Sequence, residues 1–270
     1  MVPLADLLLS GQADSDACYL AIDDSDDADV AAVLALAEHP SGEVRRAAMS
    51  TIPLLTHGDP PTQELLDVVT RGTTDPDPHV RDWACFALGT QWREVDTPGV
   101  RQALADRLDD DDHETAREAL VGLAHRRDLQ VLERVRAALS RPEEDAWLLE
   151  LEAAGALGEA SLHPLVLRHQ DGWDDPRHAR VADAVRRLTD PAGPGDDVLD
   201  GVAEISRRRA HGSPDHEVMW AWTVMDGMLD IAPDRARGLL DAVAERLAGD
   251  DAATEELVER SALAGLLDGS

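Results

Sequence analysis

An alanine followed four residues later by an aliphatic side chain recurs along this chain at nearly fixed intervals: Ala48 and Ile52, Ala84 and Leu88, Ala119 and Leu123, Ala153 and Leu157. The four alanines are 36, 35 and 34 residues apart. A spacing of four puts both residues on one helix face, and a period of this length holds two helices. The pattern continues more loosely through Ala184 and Leu188, Ala221 and Met225, and Ala262 and Leu266. Acidic breaks precede these helices, EHPSGE, DPDPH, DDDDHE, RPEED, DDPRH, GSPDHE and GDDAATEE, as helix starts require. Between them lie second apolar-periodic segments such as QELLDVVTRG, PGVRQALADRL and LQVLERVRAAL. The expectation is an all-α solenoid of about seven helical hairpins, each burying its apolar face against its neighbours.

Aromatic residues make up only 3% of the 270, so the core must be built from Ala, Leu and Val, which favours helices over strands. Residues 1–28 read as an irregular N-terminal helical cap and 29–270 as the solenoid. Its repeats are clearest over 39–170 and degenerate over 171–270.

The stretch DPDPHVRDWACFALG, from Asp75 to Gly89, shows one unit in detail. Asp77 is placed to cap a helix, Pro78 to occupy its first position and Gly89 to stop it. Val80, Trp83, Ala84, Ala87 and Leu88 form the stripe that should enter the core, with Arg81 and Asp82 facing elsewhere. This stretch resembles the HEAT repeat, in the short form also seen in bilin lyases. There Asp-Pro is followed by two or three variable residues, Val-Arg, two more, Ala, and then Ala-Leu-Gly. The cousin HPSGEVRRAAMSTIP, from His39, carries the same elements. Two later units depart from the pattern: Thr115 and Ala116 stand where the family has Val-Arg, with Arg117 one place late, and Leu149 and Glu150 stand there in the next.

The resemblance implies a scaffold or adaptor. A bilin lyase-type enzyme is the alternative it raises, and an inhibitor or immunity protein for a basic toxin or nuclease is a specialised case. Tetratricopeptide repeats would need aromatic residues in every unit, and the chain has one Tyr and one Phe.

Charge narrows the partner. The formal net charge is −30, from 55 acidic and 25 basic residues, all of the latter arginine. Through Val44 there are ten acidic side chains and no Lys or Arg. Such a surface repels phosphate backbones and anionic membranes, so nucleic acid and membrane partners are disfavoured and a basic protein or Arg/Lys-rich segment is favoured. The composition suits either a GC-rich coding bias or high intracellular salt. MVPLADLLLSG lacks the basic start of a signal peptide and no run approaches a membrane span, which points to a cytoplasmic protein, and one continuous solenoid is expected to be a monomer.

Arg45 and Arg81 fall in first helical turns, where the helix dipole disfavours a cation, so Asp75 or Asp77 in adjacent turns should hold them. Cys18 and Cys85 lie in apolar patterns and read as buried free thiols. The ten histidines have no metal-ligand spacing: His163 and His169 are six apart, and His39, His79, His113, His178 and His216 sit at repeat turns. The run Asp109 to Asp112 lacks the order of a calcium loop and reads as a solvated turn. No nucleophile motif or phosphate-binding glycine loop is present, so neither an enzyme nor a cofactor is expected.

Candidate partner-binding residues are Glu64, Asp67 and Asp106, on the polar sides of second helices, with Trp92, Trp173, Trp220 and Trp222 as aromatic anchors. Trp92 and Trp173 fall in predicted turns. The helix containing Trp220 and Trp222 is apolar over so wide an arc that it must be buried on two sides or carry a partner surface.

Overall fold

The computed structural model describes residues 2–13, 15–142, 147–171 and 173–263. It is all-helical, with no strand among the described residues. By internal packing the chain falls into two compact units, Met1–Asp128 and Leu129–Ser270.

The first unit holds α1 (Leu4–Leu9), α2 (Asp16–Asp23), α3 (Asp27–Leu36), α4 (Gly42–Thr51), α5 (Gln63–Gly72), α6 (Pro78–Phe86), α7 (Pro98–Ala105) and α8 (His113–His125). The second holds α9 (Leu132–Leu139), α10 (Leu148–Leu157), α11 (His163–Val166), α12 (Pro176–Thr189), α13 (Asp196–Ala210), α14 (Met219–Ile231), α15 (Ala236–Arg246) and α16 (Asp251–Leu263). The helices that follow the seven acidic breaks are α4, α6, α8, α10, α12, α14 and α16, and the fold is an α-solenoid of HEAT-like hairpins. Leu266, paired above with Ala262, lies outside the described residues, as does most of the RPEED break. The repeat alanines Ala48, Ala84, Ala119, Ala153 and Ala221 are fully buried and Ala184 nearly so.

The arginine ladder is present in the first unit. Arg45 donates from Nε and Nη2 to the two oxygens of Asp75, at 2.8 and 2.7 Å, and from Nη1 to the His39 carbonyl at 3.0 Å. One repeat on, Arg81 donates to the two oxygens of Asp110 at 2.9 and 2.6 Å, to Asp111 at 2.8 Å and to the Asp75 carbonyl at 3.0 Å. The same aspartates hold their own turns, Asp75 accepting from the Asp77 N–H and Asp110 from the Asp112 N–H. Burial alone would raise these two carboxyls, but the hydrogen bonds from arginine and backbone outweigh it and hold both below the usual carboxylate range.

The two sequence departures have structural counterparts. Thr115 is buried, its hydroxyl reaching the Pro78 carbonyl at 3.4 Å, and the displaced Arg117 pairs with Glu114 on its own helix. In the second unit the pair is reversed in sign: Glu150, buried in the first turn of α10, meets Arg141 from the preceding turn. An anion is better placed than a cation at that helix end.

Three expectations need correction. Arg81 is on the buried face of α6, 8% exposed, while Trp83 is 36% exposed. The buried arc of α6 centres on Ala84 and Leu88, and Trp83 and Phe86 sit on its flank. Gly89 does not stop the helix. The chain passes through one wide π-helical turn, Ala87–Gln91, and Gly89 packs against Gly122 of α8, where an added Cβ on Gly122 would lie 2.6 Å from the Gly89 Cα. Nor is the aspartate run uniformly solvated, since the Asp110 side chain is 2% exposed and Asp112 caps α8 by accepting from the Thr115 N–H. Cys18 and Cys85 are buried and in no disulfide, and burial pushes the Cys85 thiol well up.

Candidate functional site

Surface residues at the C-terminal ends of α2, α4 and α6 enclose a two-lobed cleft in the first unit. Pro53 turns the end of α4 into a 3-10 turn, Ile52–Thr56, which leaves Leu54 40% exposed; His57 and Gly58 then take left-handed conformations that end it. From α2 come Tyr19, 50% exposed, with Ile22 and Asp23. From α6 come Trp83 and Phe86, edge to face with ring centroids 5.5 Å apart. The π-helical turn then carries Gln91 and Trp92 into the wall. The lobes, about 360 and 240 Å³, share Tyr19, Ile22, Pro53, Leu54 and Gln91.

Two features set this cleft apart. It gathers Tyr19, Phe86, Trp83 and Trp92, the chain's only Tyr, its only Phe and two of its six Trp. Apart from His57, its only titratable lining residues besides Tyr19 are Asp23 and Asp59, and no arginine lines either lobe. An exposed aromatic patch with an acidic rim is the composition of a protein-recognition surface for a cationic partner.

Its back wall is braced by Arg126, which is buried and meets no carboxylate. The guanidinium donates from Nη2 to the carbonyls of Leu88, Trp92 and Val95, at 2.7, 3.1 and 2.9 Å, and from Nη1 to that of Gly122 at 2.8 Å. Burial pushes its pKa down to about 10, which leaves it charged at neutral pH. It thereby gathers carbonyls from the wide turn of α6 and the end of α8 onto one cation. Trp92 itself is 5% exposed and its indole N–H has no acceptor.

The sequence candidates are distributed differently. Glu64 and Asp67 lie exposed on α5 and Asp106 at the end of α7, none of them lining the cleft. Asp67 and Asp106 accept from Gln63 and Gln102 one turn earlier, each at 2.7 Å. Trp92 and Trp222 are buried rather than exposed anchors, because each is drawn into the packing of its own unit. Trp222, 5% exposed, lies beneath the guanidinium of Arg260, 4.2 Å from the ring centroid. Trp220 is 46% exposed. Trp173 is half-buried, donating to the His169 carbonyl at 2.8 Å and meeting His178 edge to face. Of that set only Trp92 enters the cleft.

The second unit carries a separate opening of about 430 Å³ between α10, α12 and α14, where Glu152, Arg177, Arg180, Asp226 and Asp230 surround Val181 and Ile231. Among the described residues no group of three or more His, Cys, Asp or Glu side chains is placed to hold a metal, and no helix is long and apolar enough to cross a membrane.

Residues 30–124 match the family model for HEAT repeats. Protein YibA of Escherichia coli K12 is 32% identical over 126 residues, which covers 47% of this chain and 42% of that protein, and YibA of E. coli O157:H7 gives the same values. The chain thus spans less than half the length of these curated relatives. The X-ray structure of E. coli YibA aligns with a TM-score of 0.41 at 19% identity, over 68% of this chain and 81% of that one.

Proposed function

Because residues 30–124 of this chain are HEAT repeats, we propose that it is a non-enzymatic scaffold that binds a basic protein, and that the first unit supplies the contact surface. The observation that carries this reading is the cleft at the ends of α2, α4 and α6, where half of the chain's aromatic residues gather within an acidic rim. Aromatic side chains bury large areas at low entropic cost, and so supply most of the energy where partners meet. The surrounding charge, ten acidic residues and no Lys or Arg through Val44, speeds encounter with a cationic surface.

Affinity capture with the full chain tests the reading, with Leu54→Asp run in parallel. Leu54 is exposed, so the variant should fold while placing a charge in the cleft. A basic protein retained by the wild type and lost by Leu54→Asp is the expected outcome. Equal retention by both, or retention of acidic proteins only, would reject it.

A further inference from the structure

We propose that the cleft of the first unit is a receptor for an arginine side chain of the partner, the guanidinium lying on the Trp83 and Tyr19 rings with Asp23 and Asp59 balancing its charge. This rests on the partner-binding reading above and names what that surface reads.

The second unit shows the same chemistry completed within the chain. There the Arg260 guanidinium sits 4.2 Å above the Trp222 ring, with Asp215, Asp226 and Glu256 as acidic neighbours. A cation over an aromatic face, flanked by carboxylates, gains from the ring quadrupole and from the charge together. The first unit assembles the other half of that arrangement. Exposed Tyr19 lines both lobes, with exposed Trp83 in the smaller and Asp23 and Asp59 in the larger, and no arginine lines either.

Three arginines of this unit meet carboxylates, Arg45 with Asp75, Arg81 with Asp110 and Arg101 with Asp96, and none of them lines the cleft. His57 also faces the cleft, its Nε2 3.4 Å from the Ser25 hydroxyl. A planar guanidinium fits better than an ammonium, because it stacks on a ring and still bonds a carboxylate along its edge. The net charge disfavours nucleic acid as the source of a flat, stackable group, since it brings phosphates.

The test uses the full chain and two labelled peptides of identical sequence, one bearing arginine and the other citrulline, the neutral isostere. Binding is read by anisotropy and by tryptophan emission. The arginine peptide should bind and quench emission, the citrulline peptide should bind about tenfold more weakly, and Trp83→Leu and the Asp23→Asn, Asp59→Asn double variant should each lose about tenfold.

Glu64→Gln on α5 should bind as the wild type does. Equal affinity for the two peptides overturns the guanidinium assignment. Unchanged binding by Trp83→Leu, or a loss at Glu64→Gln instead, moves the site out of the cleft and overturns it too. If neither peptide binds while the captured partner is still lost by Leu54→Asp, the arginine reading fails and the scaffold reading stands. If capture is also insensitive to Leu54→Asp, both fail.

Discussion

Arg81, in the first turn of α6, meets both oxygens of Asp110 at 2.9 and 2.6 Å, so a single bidentate pair fastens one repeat to the turn that begins the next. Both side chains are largely withdrawn from solvent, at 10% and 2% exposure. Removing Asp110 leaves the buried Arg81 guanidinium to the exposed carboxylate of Asp111. Asp110→Ala is therefore expected to cost about 3 kcal/mol in denaturant unfolding, whereas Arg81→Met with Asp110→Leu should recover part of it, the Asp112 N–H still lacking its acceptor.

Acid should weaken the same ladder. The folded Asp75 and Asp110 carboxyls lie below their unfolded values, so their contribution is complete above about pH 4 and is lost as pH falls through the folded values. Asp110→Ala has less to lose in that window. Its unfolding midpoint should converge on that of the wild type as the solution is acidified below pH 4.

Asp82 runs the other way. Burial, and then Asp112 and Glu114, push its carboxyl up to about 6, with His79 opposing them. A raised acid destabilises the folded state at neutral pH, and the penalty fades as pH falls through 6 toward 4. Asp82 is half-buried, so screening reduces the benefit of Asp82→Asn at pH 7 to about 1 kcal/mol, and that benefit should vanish near pH 4. A constant difference across the range would contradict this.

Gly122→Ala should lower the melting temperature sharply. The new methyl would lie 2.6 Å from the Gly89 Cα and 3.0 Å from Leu104 Cδ1. A leucine can rotate, but backbone cannot. A cost of about 2 to 3 kcal/mol is expected, with Gly99→Ala, whose Cβ would meet only the Thr97 hydroxyl at 3.9 Å, as the mild control.

Trp220 and Trp222 are two residues apart and should behave oppositely. Trp222→Ala removes a ring that is 5% exposed and uncovers Arg260, so a loss of about 3 to 5 kcal/mol is expected. Trp220→Ala, at a ring 46% exposed, should change stability by less than about 0.5 kcal/mol.

The repeat spacing made the hairpins legible in the sequence, and the helix dipole made it legible that Arg45 and Arg81 needed carboxylates from neighbouring turns. Trp83 was not legible as surface, because spacing alone does not say where a buried arc ends. Arg126 left no signal, since its partners are carbonyls, which every residue carries. The cleft was hidden for another reason: Tyr19 comes from the cap, Leu54 from a turn and Phe86 from a repeat helix, so no single motif contains it. The one available clue was scarcity, Tyr19 and Phe86 being the only residues of their kinds.

Each rung of the Arg45 and Arg81 ladder joins an arginine to an aspartate 30 or 29 residues later, and that aspartate also shapes the turn in front of the next first helix. The stretch from Asp75 to Asp109 is thus a cassette with matching ends. A tandem copy inserted after Asp109 would receive Arg81 on its first aspartate and offer its own arginine to Asp110, so the array could lengthen there by duplication without breaking a contact of this kind. No such seam exists at α10, where Glu150 and Arg141 exchange the roles of anion and cation. The rule holds from α4 to the turn before α8, where Arg117 turns to Glu114 of its own helix and the ladder ends.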